Sequence, residues 1–148
     1  MPFEHRVKVR YGETDQMGVV HHANHLLYLE EARTEYLASL GYPYPEVERS
    51  GIGLPVRGLE VRYRSPALYG DELVVELGVD SVRAASVRFT YRLSRADGGE
   101  AVADATVELA CVSLTDRRPC LLPEELRRLL ESVLESAGGG SRDRSQAG

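Results

Sequence analysis

The chain has no tryptophan, only two cysteines and a single lysine, Lys8, and each scarcity excludes something. Cys111 lies in an alternating apolar run and Cys120 beside a proline. Neither belongs to a close pair or a metal-ligand cluster, so both read as free thiols rather than a disulfide framework or a zinc module. No apolar run approaches the roughly 18 residues that a membrane helix needs, so no integral membrane segment is expected. The start, Met1-Pro2-Phe3-Glu4-His5, lacks the charged-then-apolar pattern of a secretion signal, and the expected location is the cytoplasm. A net charge of −5 offers no basic field to nucleic acid, which is not an expected partner. The positive charge is almost all arginine, whose planar fork suits phosphate oxygens.

What is present fits one globular domain of 148 residues, with 43% hydrophobic and 28% charged residues. Val7, Val9 and Tyr11 alternate with Arg6, Lys8 and Arg10, the pattern of a strand with one buried face. From Asn24 to Leu40 the period changes to that of a helix: Leu26, Leu29, Ala32 or Arg33, Tyr36 and Leu40 recur at three- and four-residue steps. Asn24 is the candidate cap, and Gly41 and Pro43 supply stop chemistry. Residues 42–53 form a connection with room for one helical turn. Four strands follow, around Leu59–Tyr63, Leu73–Val79, Val87–Leu93 and Val102–Leu114, with Asp97-Gly98-Gly99 as a turn. Pro123 opens an amphipathic helix carrying Leu126, Leu129, Leu130, Val133 and Leu134. The domain is expected over 1–136, with 137–148 as a flexible Gly- and Ser-rich tail. Consecutive strands joined by short turns must be largely antiparallel. The expected class is therefore α+β: an antiparallel sheet of about five strands wrapped around a long helix, with a second helix at the C-terminus.

Chemistry concentrates in Thr14-Asp15-Gln16-Met17-Gly18-Val19-Val20-His21-His22-Ala23-Asn24-His25. One carboxylate and three imidazoles lie between a strand and the mouth of an apolar helix. A carboxylate there can attack or deprotonate, while free N–H groups at the helix start can hold an oxyanion. Capping a turn is the other ordinary use of an aspartate at such a place.

The segment Asp15–Asn24, with Glu30-Glu31-Ala32-Arg33-Thr34-Glu35, Val61-Arg62-Tyr63-Arg64-Ser65-Pro66-Ala67 and Gly70-Asp71, resembles the 4-hydroxybenzoyl-CoA thioesterase family. The likeness is greatest to the YbgC-type acyl-CoA thioesterases of the hotdog fold and runs from about Phe3 to Leu134. It implies a homodimer whose sheets join edge to edge, or a tetramer of two such dimers. It also implies hydrolysis of an acyl-CoA thioester with no metal and no cofactor beyond the coenzyme A of the substrate. Residue by residue, it places Asp15 on the catalytic carboxylate, His22 on a site histidine whose N–H lies near the thioester carbonyl, and Tyr11 on an aromatic residue close to the acid. Gly18, Val19, His22 and His25 line the expected substrate and oxyanion site, His25 standing where the family usually has tyrosine.

Arg62 and Arg64 are candidates for the coenzyme phosphates, a solvated strand face being the alternative. The His22–His25 spacing with Asp15 would also suit a metal, but no further ligand pattern accompanies it, and none is expected. Asp15 has two routes, direct attack giving a mixed anhydride or deprotonation of a water. The competing functions are a hydratase or dehydratase of acyl thioesters, pairing His22 with Asp15, and a non-catalytic acyl-CoA-binding protein.

Overall fold

Period-two alternation of Val, Leu and Tyr with charged residues builds a five-stranded sheet in the computed structural model, which describes residues 3–136. The strands are β1 (Phe3–Lys8), β3 (Val56–Tyr63), β4 (Glu72–Val82), β5 (Ser86–Arg95) and β6 (Ala101–Ala110). They stand in the order β1-β4-β5-β6-β3, every pair antiparallel. Two short strands, β2 (Ile52–Gly53) and β7 (Val112–Ser113), pair apart from it. The helices are α1 (Asn24–Ser39), α2 (Tyr44–Arg49) and α3 (Glu124–Ser136). The expected tail, 137–148, lies outside the described residues, so the proposed domain limit has no structural counterpart here.

One face of the sheet is apolar. Leu73, Val75, Leu77 and Val79 of β4 and Val87, Phe89, Tyr91 and Leu93 of β5 are buried. α1 lies against this face: Tyr36 stacks on Phe3 and meets Phe89 edge-on, while Arg33 donates to the hydroxyl of Tyr91. His25, Tyr28, Leu29, Ala32, Tyr36 and Leu37 are its buried residues. Leu26 and Leu40, expected in that stripe, are only partly buried. Leu27, Glu30, Glu31 and Glu35 are exposed, so the sheet covers one side of α1 and leaves the other open. α3 packs along β4 and buries Leu126 and Leu130 completely.

Three expected boundaries move. β1 ends at Lys8, although Val9 stays buried and exchanges bonds with Asp71 and Gly70. Tyr11 is therefore no strand residue but begins a 3-10 turn, Tyr11–Glu13, and is 77% exposed. The last strand breaks at Cys111, whose N–H leaves the ladder for the Ala85 carbonyl, so Val112–Ser113 joins β2 instead. Asn24 does not cap α1: its side-chain amide donates to the Glu13 carbonyl at 2.9 Å, and Ala23 holds the cap position. The helix does end as expected, with Gly41 at φ +94° after Leu40.

Candidate active site

A tight loop presents Asp15. The Asp15 N–H donates to the Val19 carbonyl at 2.8 Å, and the Gly18 N–H returns to the Asp15 carbonyl at 3.0 Å. Gly18 closes this turn at φ +78°, a left-handed conformation that costs glycine little. The loop is docked against the segment before β4: the Val20 N–H donates to Ala67 and the Tyr69 N–H to Gly18.

Oδ1 of Asp15 accepts from the Met17 N–H at 2.9 Å and from the Val19 N–H at 3.2 Å. Oδ2 has no partner among the described residues, and Asp15 is exposed. The turn-capping reading of this aspartate is met by one oxygen of the side chain. That oxygen ties the loop and fixes the carboxylate plane, and the other is left without a partner among the described residues.

The amides divide differently from the sequence expectation. The N–H of Gly18 is spent on the Asp15 carbonyl and that of Val19 on the Asp15 carboxylate, so neither is an open oxyanion donor. The His22 N–H, by contrast, has no acceptor among the described residues. Its own carbonyl is held twice, by the Tyr63 hydroxyl at 2.9 Å and by Nδ1 of His25 at 3.0 Å. A carbonyl only accepts, so His25 carries its proton on Nδ1. The two bonds fix the backbone at the helix mouth, beside the free His22 N–H.

His25 therefore supports this backbone. It is 5% exposed and sits edge-on to Tyr63, with ring centroids 5.0 Å apart. Burial lowers its pKa from the ordinary histidine value, and the bond to His22 opposes that shift. The His22 ring is exposed and lies 4.4 Å from the His21 ring, with no hydrogen bond to Asp15. Tyr11 makes no hydrogen bond to the acid either: its ring rests edge-on against Tyr69, with centroids 5.7 Å apart. Among the described residues no three His, Cys, Asp or Glu side chains converge as metal ligands. Of the two phosphate candidates, Arg64 is engaged with Asp104, while Arg62 is exposed on β3 without a side-chain partner.

Sequence reasoning missed Glu13 and Tyr63. Oε1 of Glu13 accepts from the Tyr28 hydroxyl at 2.7 Å and from the Arg10 N–H at 2.9 Å. Its carbonyl accepts from Asn24 and from the His21 N–H. One residue thus ties the end of β1, the loop and the first turns of α1 together. Burial and the bond to Glu13 push the Tyr28 phenol far above its ordinary range, so it stays a donor. No spacing signal announces these partners, because 15 residues separate Tyr28 from Glu13 and 41 separate Tyr63 from His22. Only the folded ladder brings them together.

Residues 9–130 match the model of the thioesterase-like superfamily, and the chain belongs to that family. It is a thioester hydrolase by class, with the α+β hotdog architecture. Among its relatives is the acyl-CoA thioesterase YbgC of Haemophilus influenzae, 36% identical over 84% of this chain and 91% of that protein. Another is the 1,4-dihydroxy-2-naphthoyl-CoA hydrolase of Thermosynechococcus vestitus, 32% identical over 87% and 88% of the two chains. A solved structure of a hypothetical protein from Thermus thermophilus superposes with a TM-score of 0.82 at 36% identity, covering 88% of this chain and 98% of that one.

Proposed function

We propose that the protein hydrolyses an acyl-CoA to coenzyme A and a carboxylic acid, with Asp15 as the catalytic carboxylate. The single observation that carries this is the split state of that side chain: Oδ1 is anchored by two amides and Oδ2 is free. A carboxylate pinned at one oxygen keeps its reactive oxygen in a fixed direction, which is what proximity catalysis needs. Oδ2 either attacks the thioester carbon or removes a proton from the attacking water. Negative charge then gathers on the carbonyl oxygen, and the unpaired His22 N–H is the donor suited to receive it. The exposed His22 ring stands beside it, able to orient the water or donate to the departing thiolate.

The reaction runs without a metal or a resident cofactor, coenzyme A entering and leaving with the substrate. Of Arg62 and Arg64, Arg62 is the one open to its phosphates. Cytosolic operation agrees with Cys111 and Cys120 being free thiols although their sulfurs lie 3.7 Å apart. The working unit is a homodimer, alone or within a tetramer. β3 is a sheet edge with both faces largely exposed, including Val56 at 51% and Leu59 at 47%. An eight-residue edge strand left open, with Val56, Leu59 and Tyr63 exposed among its charged residues, invites pairing, and a second copy of the same strand satisfies it with two-fold symmetry.

The test is a panel of acyl-CoAs assayed for free thiol, with an enoyl-CoA followed in parallel by its conjugated absorbance. Thiol release from the acyl-CoAs is the expected result. Loss of the enoyl absorbance without thiol release would assign a hydratase, and saturable binding without product would leave a carrier.

A further inference from the structure

Cys111 and Cys120, nine positions apart in the chain, meet at the foot of one turn. Backbone bonds bring them there. The Cys111 N–H donates to the Ala85 carbonyl and the Leu122 N–H to the Ala84 carbonyl, both at 2.9 Å. The two arms of the turn thus hang on neighbouring carbonyls between β4 and β5. Between the arms Val112 faces Pro119 in an antiparallel bridge, and the Cys120 N–H donates to the Cys111 carbonyl at 2.9 Å. The register continues by one residue and sets Cys111 opposite Cys120. Residues bonded across an antiparallel pair have Cα atoms about 5.5 Å apart, and a disulfide spans roughly 4.4–6.8 Å between Cα atoms. The two sulfurs already lie 3.7 Å apart.

The two thiols are not alike. Cys111 is 0% exposed, with the Leu121 carbonyl as acceptor for its S–H at 3.6 Å, whereas Cys120 is partly exposed. Burial, and then the neighbouring Cys120, push the Cys111 thiol up to about 12. A dissolved reagent therefore reaches Cys120 first, while Cys111 stays a protonated thiol in contact with it. An accessible thiol beside a resolving one is the arrangement of reversible thiol oxidation. Among the described residues no third His, Cys, Asp or Glu converges on the pair, which lacks the ligands a zinc site needs.

We infer that Cys111 and Cys120 form a thiol–disulfide exchange site that takes its oxidising equivalents from a small-molecule disulfide and staples the turn at 112–119. In the first step the Cys120 sulfur attacks one sulfur of the reagent. A mixed disulfide forms at Cys120, and one reagent thiol leaves with the Cys120 proton. In the second step Cys111 attacks the Cys120 sulfur, the mixed bond breaks, and the Cys111 proton passes through solvent to the second departing thiolate. Two protein thiols are oxidised to one disulfide, and the reagent disulfide is reduced to two thiols. Contact between the sulfurs gives the second step the advantage of proximity, which offsets the weak acidity of Cys111. The bridge closes the base of a turn otherwise held by the bonds of Ser113 with Arg117 and Arg118. It also pins β7, the partner of β2.

The test incubates the reduced full-length protein with oxidised glutathione and reads the intact mass. Wild type should lose two hydrogen atoms without gaining glutathione, and dithiothreitol should restore them. Trypsin then locates the bond: residues 96–117 and 118–127, each with one cysteine, should run as one linked peptide. Cys111→Ala, which lacks the resolving thiol, should instead hold one glutathione on Cys120. Cys120→Ser, which alters only the partly exposed partner, should not react in the folded protein. Oxidised wild type should also melt at a higher temperature than the reduced form, a gain absent from Cys120→Ser, because the cross-link restricts the unfolded chain. Wild type that stays reduced, keeps a glutathione adduct or joins two chains would overturn the exchange site. A bridge that forms without raising the melting temperature would overturn the staple. Neither readout involves acyl-CoA, so neither bears on the role of Asp15.

Discussion

The position of Asp15 was legible in the sequence, a carboxylate between the end of a strand and the mouth of a helix. The division of labour between its two oxygens was not legible, since it depends on where the Met17 and Val19 amides point once Gly18 has turned the chain. The same limit explains His25. Its spacing from His22 suggested a shared task, but folding turned the ring inward under Tyr63, where it steadies a carbonyl. That position makes a prediction about pH. Burial lowers the folded pKa of His25 below the 6.5 of an unfolded histidine, so the unfolded chain binds a proton first as the solution is acidified. The stability contributed by neutral His25 is present above the unfolded value and falls as pH drops from there towards the folded value. Urea unfolding from about pH 8 down to pH 5 should show this loss, and His25→Asn, which does not titrate there, should flatten that part of the curve. An unchanged slope would remove His25 as its source.

At the level of elements, strands and helices were readable from periodicity, and the errors have local causes. The first strand stopped early because Tyr11 is taken into a turn closed by Glu13, and the last strand broke where Cys111 pairs with Ala85 instead of the ladder. The α1 stripe was only partly readable, because two aromatic residues and a histidine share its buried side and no clean leucine repeat marks it. α3 was readable from its stripe after a proline, of which Leu126 and Leu130 are buried and Leu129, Val133 and Leu134 partly so. Leu130→Ala should cost about 2–5 kcal/mol, checked by denaturant unfolding, because the side chain is completely buried. Glu13 joins three elements through hydrogen bonds. Glu13→Ala should lower kcat more than it raises KM by loosening the Asp15 loop, whereas Glu13→Gln, still an acceptor for Tyr28 and Arg10, should recover most of the rate. Equal rates for the two variants would deny Glu13 any part in positioning the loop.

For the molecule as a whole, the sheet order follows from antiparallel connections, yet no residue pattern told that β3 would be the edge. Its alternation of Leu59, Val61 and Tyr63 looks like that of a half-buried strand. In the single chain it is left largely exposed, which is the ground for the proposed pairing of two copies. Leu59→Glu should shift the protein to monomers in light scattering and remove activity with the dimer, while leaving the circular dichroism of the monomer intact. A variant that stays dimeric would place the subunit contact elsewhere.

The central claim is that the free oxygen of Asp15 performs the chemistry. It is tested most directly by thiol release from a turned-over acyl-CoA, comparing wild type with Asp15→Asn, which keeps a side-chain oxygen for the Met17 and Val19 amides. Loss of kcat by about 10²–10⁴-fold at unchanged thermal stability is the predicted result. Wild-type turnover by the asparagine variant would contradict it.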